Sequence, residues 1–179
     1  VAAGKLGSAA LFVAANSEFL SIADNADVST GNIDFTLATW VYLDTIDDWG
    51  IGSKGGLGAG NSEWELYYAL AVNRFRFTIS ANGTTVSDTV TATAFGAASS
   101  ATFYFVVAWH DAAADTINIQ VNNGGVDSIA TGGDAPVDRA GALRLGLVDG
   151  ATHFSGRIDE FGVWKRVLTA AERTELYRS

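Results

Sequence analysis

The feature that most constrains this chain is a change of period near its C-terminus. Over residues 157–164 the side chains alternate: Ile158, Glu160, Gly162 and Trp164 point one way, and Arg157, Asp159, Phe161 and Val163 the other. That is the period-two pattern of a half-buried strand. Thr169-Ala-Ala-Glu172 then has the spacing of a capping box, in which a hydroxyl and a carboxylate satisfy the free amides of a short helix running to about Tyr177. A strand that passes into one small helix, in a chain otherwise made of short alternating runs, points to sheet packed on sheet with the helix as an accessory.

The rest of the chain supports that reading. It has 20 glycines and one proline, and the glycines cluster between alternating runs. Residues 86–90, 103–109, 116–121 and 142–147 read as strands. So does 33–43, in which Phe35, Leu37, Thr39, Val41 and Leu43 share one face. Apolar bulk on both faces makes 33–43 a central strand. Residues 63–70 and 74–79 form a hairpin hinged at Val72-Asn73, and Asn122-Asn-Gly-Gly125 is a positive-φ turn between 117–121 and 126–130. The glycine-rich segment 52–60 reads as a mobile loop. Roughly a dozen strands and one terminal helix predict an all-β, two-sheet antiparallel sandwich.

At 179 residues the chain suits one domain, 1–179, able to bury roughly two thirds of its unfolded surface. The absence of cysteine excludes disulfides and thiolate metal sites, leaving oxygen ligands for any ion. Twenty acidic against 11 basic residues give a net charge of −9, which argues against nucleic-acid and anionic-membrane partners. No apolar run reaches the ~20 residues that span a bilayer. The opening Val1-Ala-Ala-Gly4, without Met, is expected to be a domain boundary within a longer protein.

The C-terminal run closely resembles the signature of the laminin G-like, concanavalin A-like family, in which a Gly-x-Ile-Asp-Glu strand leads to a Ser/Thr-x-x-Glu helix ending near Leu-Tyr. Further matching motifs fall in order: Gly4-Lys5-Leu6-Gly7, Phe19-Leu-Ser-Ile22-Ala-Asp24, Ile33-Asp-Phe-Thr-Leu-Ala-Thr-Trp-Val41 and Ser53-Lys54-Gly55. The resemblance spans essentially the whole chain and implies a concanavalin A-like jelly roll, a fold that hosts lectins, adhesion modules and decorating domains. It also implies a structural calcium, held by Asp159 with oxygens from the loop containing Asp24 and Asp27, which would tie the chain's two ends together. The residues alone leave another reading open, in which Asp24 and Asp27 cap turns and Asp159 pairs with Arg157, Lys165 or a backbone amide.

Sugar rings stack on aromatic faces while amides and carboxylates read their hydroxyls. The ligand-binding candidates are Trp49, Trp64, Tyr67 and Asn122. Trp49 follows Asp47-Asp48 in a loop and is expected to be exposed, whereas Trp40, Trp109 and Trp164 are expected in the core. Laminarinase-type hydrolases of this architecture carry three acidic residues on one strand. Here Glu63-Trp-Glu65 supplies two, expected on a solvent-facing strand surface, and lacks the third, which argues against hydrolysis. His110 and His153 have neither a second histidine nor a nucleophile beside them, so no triad or zinc site is supported.

The leading expectation is therefore a non-catalytic glycan-recognition module with a structural calcium, monomeric within a larger chain at the cell exterior or a cell or virion surface. The alternative is a structural or adhesive domain contacting protein partners on a cell-surface or phage assembly; a glycoside hydrolase is a minor third.

Overall fold

The computed structural model describes residues 1–179. In chain order the strands are β1 (Ala2–Ala3), β2 (Ser8–Phe12), β3 (Leu20–Ile22), β4 (Phe35–Leu43), β5 (Trp49–Lys54), β6 (Trp64–Ala69), β7 (Arg74–Ile79), β8 (Asp88–Thr91), β9 (Thr102–Asp111), β10 (Thr116–Val121), β11 (Val126–Ala130), β12 (Leu143–Leu145), β13 (Leu147–Val148), β14 (Thr152–His153) and β15 (Gly156–Trp164). One helix, α1 (Ala170–Arg178), follows. A seven-stranded sheet runs β1-β2-β15-β4-β9-β10-β11 and a six-stranded sheet β3-β12-β5-β6-β7-β8, with β13 and β14 forming a separate hairpin. Every pairing is antiparallel. The two layers enclose one large apolar cluster that includes Phe35, Trp64, Phe77, Val106 and Ile119.

β4 is central, between β15 and β9, and the apolar bulk on its two faces has two destinations. Phe35, Leu37, Val41 and Leu43 enter the inter-sheet core. Trp40 and Ala38 join Phe105, Val107 and Trp109 in a second cluster on the outer face, covered by Trp164, Leu176 and Tyr177. Tyr177 of α1 stacks on Trp40, with ring centroids 5.5 Å apart. The helix forms where the capping box predicts it: Thr169 and Glu172 satisfy each other's backbone amides. The accessory helix thus closes a small core of its own.

The simple alternation expected across 157–164 does not hold. The pairing of β15 with β4 shifts between Asp159 and Gly162, and Glu160 has φ of 50°. This β-bulge switches the parity of the strand. Ile158 faces the core before it and Phe161 and Val163 after it, while Trp164 turns to the outer cluster. The glycine-rich segment is also not all loop, because Gly52, Ser53 and Lys54 are fully ordered into β5. Gly50 explains part of this composition. The β13–β14 hairpin lies so close over β5 that a Cβ at Gly50 would stand 2.3 Å from the carbonyl oxygen of Thr152.

Candidate functional site

The outer face of the six-stranded sheet carries a row of polar side chains, because on β6 and β7 the apolar partners Trp64, Leu66, Tyr68, Phe75 and Phe77 all point inward. Glu65, Tyr67, Arg76 and Thr78 face outward, with Tyr67 opposite Arg76 and Glu65 opposite Thr78 in the ladder. Arg76 Nε donates to Thr91 Oγ1 at 3.1 Å, tying the row to β8. The turn of the β13–β14 hairpin brings Asp149 beside Glu65.

Glu65 is only 5% exposed, and its Oε1 has no hydrogen-bond partner. Burial, reinforced by the charge of Asp149 and opposed by the backbone amides of Asp149 and Leu57, raises its carboxyl to about 7. Burial also raises the Tyr67 phenol, against the lowering influence of Arg76. Near neutral pH the row therefore combines a carboxyl able to donate or accept, a phenol and a guanidinium. The expectation that Glu63 and Glu65 lie on a solvent-facing surface is corrected, since both are buried.

The raised Glu65 carboxyl has a measurable consequence. Its folded-state value exceeds that of the unfolded chain, so the folded state holds the proton more tightly. Stability must then fall as pH rises from about 4.5 to about 7, and level off above. The interval corresponds to about 3 kcal/mol. Glu65→Gln is expected to remove that part of the pH dependence and to stabilise the protein at pH 8. Denaturant unfolding at pH 5 and pH 8 measures it, and identical slopes in variant and parent would contradict the assignment.

The carboxylates expected around a calcium are separated. Asp24 Oδ1 accepts from Lys54 Nζ at 2.6 Å and from Ser29 Oγ at 2.9 Å. Lys54 holds its carboxyl below the usual range, with help from Ser29. Asp27 is exposed, its amide donating to Asn25 Oδ1. Asp159 is buried as expected, but its Oδ2 accepts from the Leu6 amide at 3.0 Å. A backbone amide thus links the C-terminal strand to the N-terminal segment. No group of three or more Asp, Glu, His or Cys side chains is placed to hold a metal ion. Asp24, Asp27 and Asp159 therefore do not come together as one carboxylate cluster.

A cation does sit near Asp24, and it is Lys54. Its ammonium is fully buried and bonds Asp24, Glu63 Oε1 at 2.9 Å, and the carbonyl oxygens of Arg139 at 3.1 Å and Gly141 at 2.5 Å. Glu63, equally buried, also accepts from the Thr30 amide and hydroxyl and the amides of Gly31 and Arg139. Both of its oxygens are engaged, so Glu63 is not free for proton transfer. The sequence signal for this cluster was a lysine within the glycine-rich segment and a glutamate just after it, hidden by taking that segment as a mobile loop.

The aromatic candidates also disperse. Trp49 is 9% exposed rather than open, because it begins β5, packs edge-to-face on Phe154 and donates its Nε1 to the Thr45 carbonyl at 2.8 Å. Trp64 is fully buried in the inter-sheet core and offers no stacking face to solvent. Asn122 has φ of 52°, and its Oδ1 accepts from the Phe105 amide at 2.9 Å, so it fixes the β10–β11 turn on the other sheet. Of the four, Tyr67 alone lies on the polar row. Trp40 and Trp109 are buried and Trp164 half-buried, all in the outer cluster. His110 is buried, with Nδ1 2.8 Å from the Ile33 carbonyl oxygen. The half-buried His153 lies with Nδ1 3.0 Å from the Ala151 carbonyl oxygen.

Two antiparallel sheets with a polar outer face and a helix capping the opposite one define a jelly-roll β-sandwich. The family described as the concanavalin A-like lectin/glucanases superfamily matches residues 15–172, and the chain belongs to it. No curated protein sequence matches the chain. Among solved structures it is similar to the binding domain of Paraclostridial Mosquitocidal Protein 1, with 12% identity and a TM-score of 0.76 over 98% of this chain and 44% of that one. It is also similar to domain 4 of AbnA, an extracellular GH43 arabinanase from Geobacillus stearothermophilus solved with arabinotriose, with 16% identity and a TM-score of 0.69 over 98% and 79%. A structure titled for botulinum neurotoxin type C and its interaction with two ganglioside molecules matches with 12% identity and a TM-score of 0.65 over 89% and 39%. The chain spans less than half the length of these toxin structures.

Proposed function

We propose that this domain is a non-catalytic glycan-recognition module of a secreted or surface protein, acting as a monomeric unit, and that it binds through the outer face of the six-stranded sheet. The observation that carries this is the pairing of Tyr67 with Arg76 across the ladder, both half-buried and both on the outer face beside the Glu65 carboxyl. A flat ring, a guanidinium and a carboxyl together supply the stacking face, donors and acceptors that a saccharide requires. Ligands recorded in the titles of the arabinanase-domain and neurotoxin structures are of the same chemical class. Hydrolysis is disfavoured, because the second carboxylate of the pair, Glu63, is locked against Lys54.

Affinity electrophoresis on a panel of polysaccharides, supported by a glycan array, tests the reading. The parent domain is expected to be retarded on at least one glycan, and Tyr67→Ala and Arg76→Ala to weaken that binding about ten-fold or more. Retardation unchanged in both variants, or absent on every glycan, would reject it.

The protein-contact reading is favoured by a different observation. Leu20 and Ile22 are exposed on edge strand β3, beside a groove of about 320 Å³ lined by Leu143, Leu145, Phe161 and Val163. Domains that bind no glycan but associate through this edge would support it. No helix is long and apolar enough to cross a membrane.

A further inference from the structure

β7 places two arginines on the polar face of the six-stranded sheet. Phe75 and Phe77 enter the inter-sheet core, so Arg74 and Arg76, which alternate with them, point outward. Both are half-buried, and neither has a carboxylate partner: the ion pairs of the chain are those of Lys54 with Asp24 and Glu63, and of Arg166 with Glu172. Lys5, Arg157 and Arg173 rest on aromatic rings instead, but no ring lies under Arg74 or Arg76 in that way. Two guanidinium groups with unspent charge thus stand two residues apart on one strand.

A guanidinium has five N–H donors, and these two use few of them. Arg74 donates from Nη1 to the Asn73 carbonyl oxygen at 2.8 Å. Arg76 donates from Nε to Thr91 Oγ1, which fixes its fork, while no carboxylate or carbonyl accepts from its Nη groups. Beside it on edge strand β8, the half-buried Thr91 lies opposite Arg76 and Thr89 opposite Thr78 in the ladder, adding hydroxyls to the same face. The β13–β14 hairpin covers β5, two strands away.

We infer that the glycan taken by this face is acidic, its uronate or sialate carboxylates received by Arg76 and Arg74 while Thr89 and Thr91 bond neighbouring hydroxyls. The inference rests on the glycan reading above and names the class of sugar. A guanidinium fork matches a carboxylate with two parallel hydrogen bonds, which a neutral hydroxyl cannot accept in the same way. The net charge of −9 opposes an acidic ligand only at long range, because charges beyond about 8 Å are screened at physiological ionic strength. The nearer carboxyls are occupied or partly neutral. Asp48 Oδ1 accepts from the Leu70 amide, Asp149 Oδ1 from the Gly58 amide, and Glu65, raised to about 7, carries only part of a charge at neutral pH.

Titration of the intact domain with trigalacturonate and with sialyllactose, each beside its carboxyl-reduced neutral form, tests the inference and separates the two sources of carboxylate. At least one acid is expected to bind about ten-fold or more tighter than its reduced form, and Arg74→Gln and Arg76→Gln each to lose about ten-fold of that binding. Arg76→Lys keeps the charge without the fork. It is expected to melt with the parent yet lose about three-fold, which separates recognition from folding. Equal affinity for acid and reduced forms would overturn the inference while leaving the glycan reading intact. So would binding of neutral polysaccharides alone, and dextran sulfate bound as tightly as the carboxylates would reduce the pair to general anion attraction. No binding of any sugar, acidic or neutral, would remove both readings together.

Discussion

Lys54→Met lowers the unfolding free energy by about 3–5 kcal/mol, the expected cost of removing one partner from a buried ion pair. The side chains of Lys54 and Glu63 are both 0% exposed, so methionine would leave the Glu63 carboxylate charged and far from water. It would also strip the carbonyls of Arg139 and Gly141 of their shared donor. Three segments meet at this ammonium, the loop bearing Asp24, the loop bearing Arg139 and Gly141, and Glu63 just before β6, so the loss is not confined to one contact. Adding Glu63→Gln to Lys54→Met is expected to recover part of the loss, because the stranded charge disappears with it. Denaturant unfolding of the single and double variants measures this, and a loss below about 1 kcal/mol would show that the pair is dispensable. Because an ammonium already neutralises Asp24, adding calcium or a chelator should leave the parent's melting midpoint unmoved.

Trp64→Ala is the second large effect, with an expected loss of about 3–5 kcal/mol. The indole is 0% exposed and packs near Phe35, with ring centroids 6.4 Å apart, at the centre of the inter-sheet core. Alanine would leave a large void between rigid sheets that cannot collapse to fill it. Trp64→Phe should cost far less, about 1 kcal/mol, because Nε1 has no hydrogen-bond partner to lose. Thermal and denaturant melts of the two variants decide the matter. A Trp64→Ala protein that kept its stability but lost glycan binding would return Trp64 to the binding surface and refute its place in the core.

The regular strands were legible because each of their local signals agreed. β7, β10 and β11 fall where alternation bounded by Asn73 and by Asn122-Asn-Gly-Gly125 puts them. The helix was equally clear, since Thr169 and Glu172 encode its start. β5 was obscured because Gly50 and Gly52 carry no side chain to register the period, and their reason is a hairpin lying over them, a contact remote in sequence. The bulge in β15 was hidden because polar Asp159 and Glu160 suit either parity. Site residues were least legible. Tyr67 lies on the polar row and Asp159 is buried, and of the partners open to Asp159 the structure shows a backbone amide, that of Leu6, which no side-chain pattern singles out. Lys54 illustrates the same limit: lysine is ordinarily exposed, and only the surrounding carbonyls show why this one is not.

The position of β15 between β2 and β4 has a kinetic consequence. During synthesis the seven-stranded sheet remains split until the ribosome has released residue 164, since its second-longest ladder has no earlier substitute. Until then β4 presents an unpaired rim that is apolar above and below, a template for pairing with other chains. Completion is thus a late, non-local event, and maturation is expected on the millisecond-to-second scale of high-contact-order β proteins.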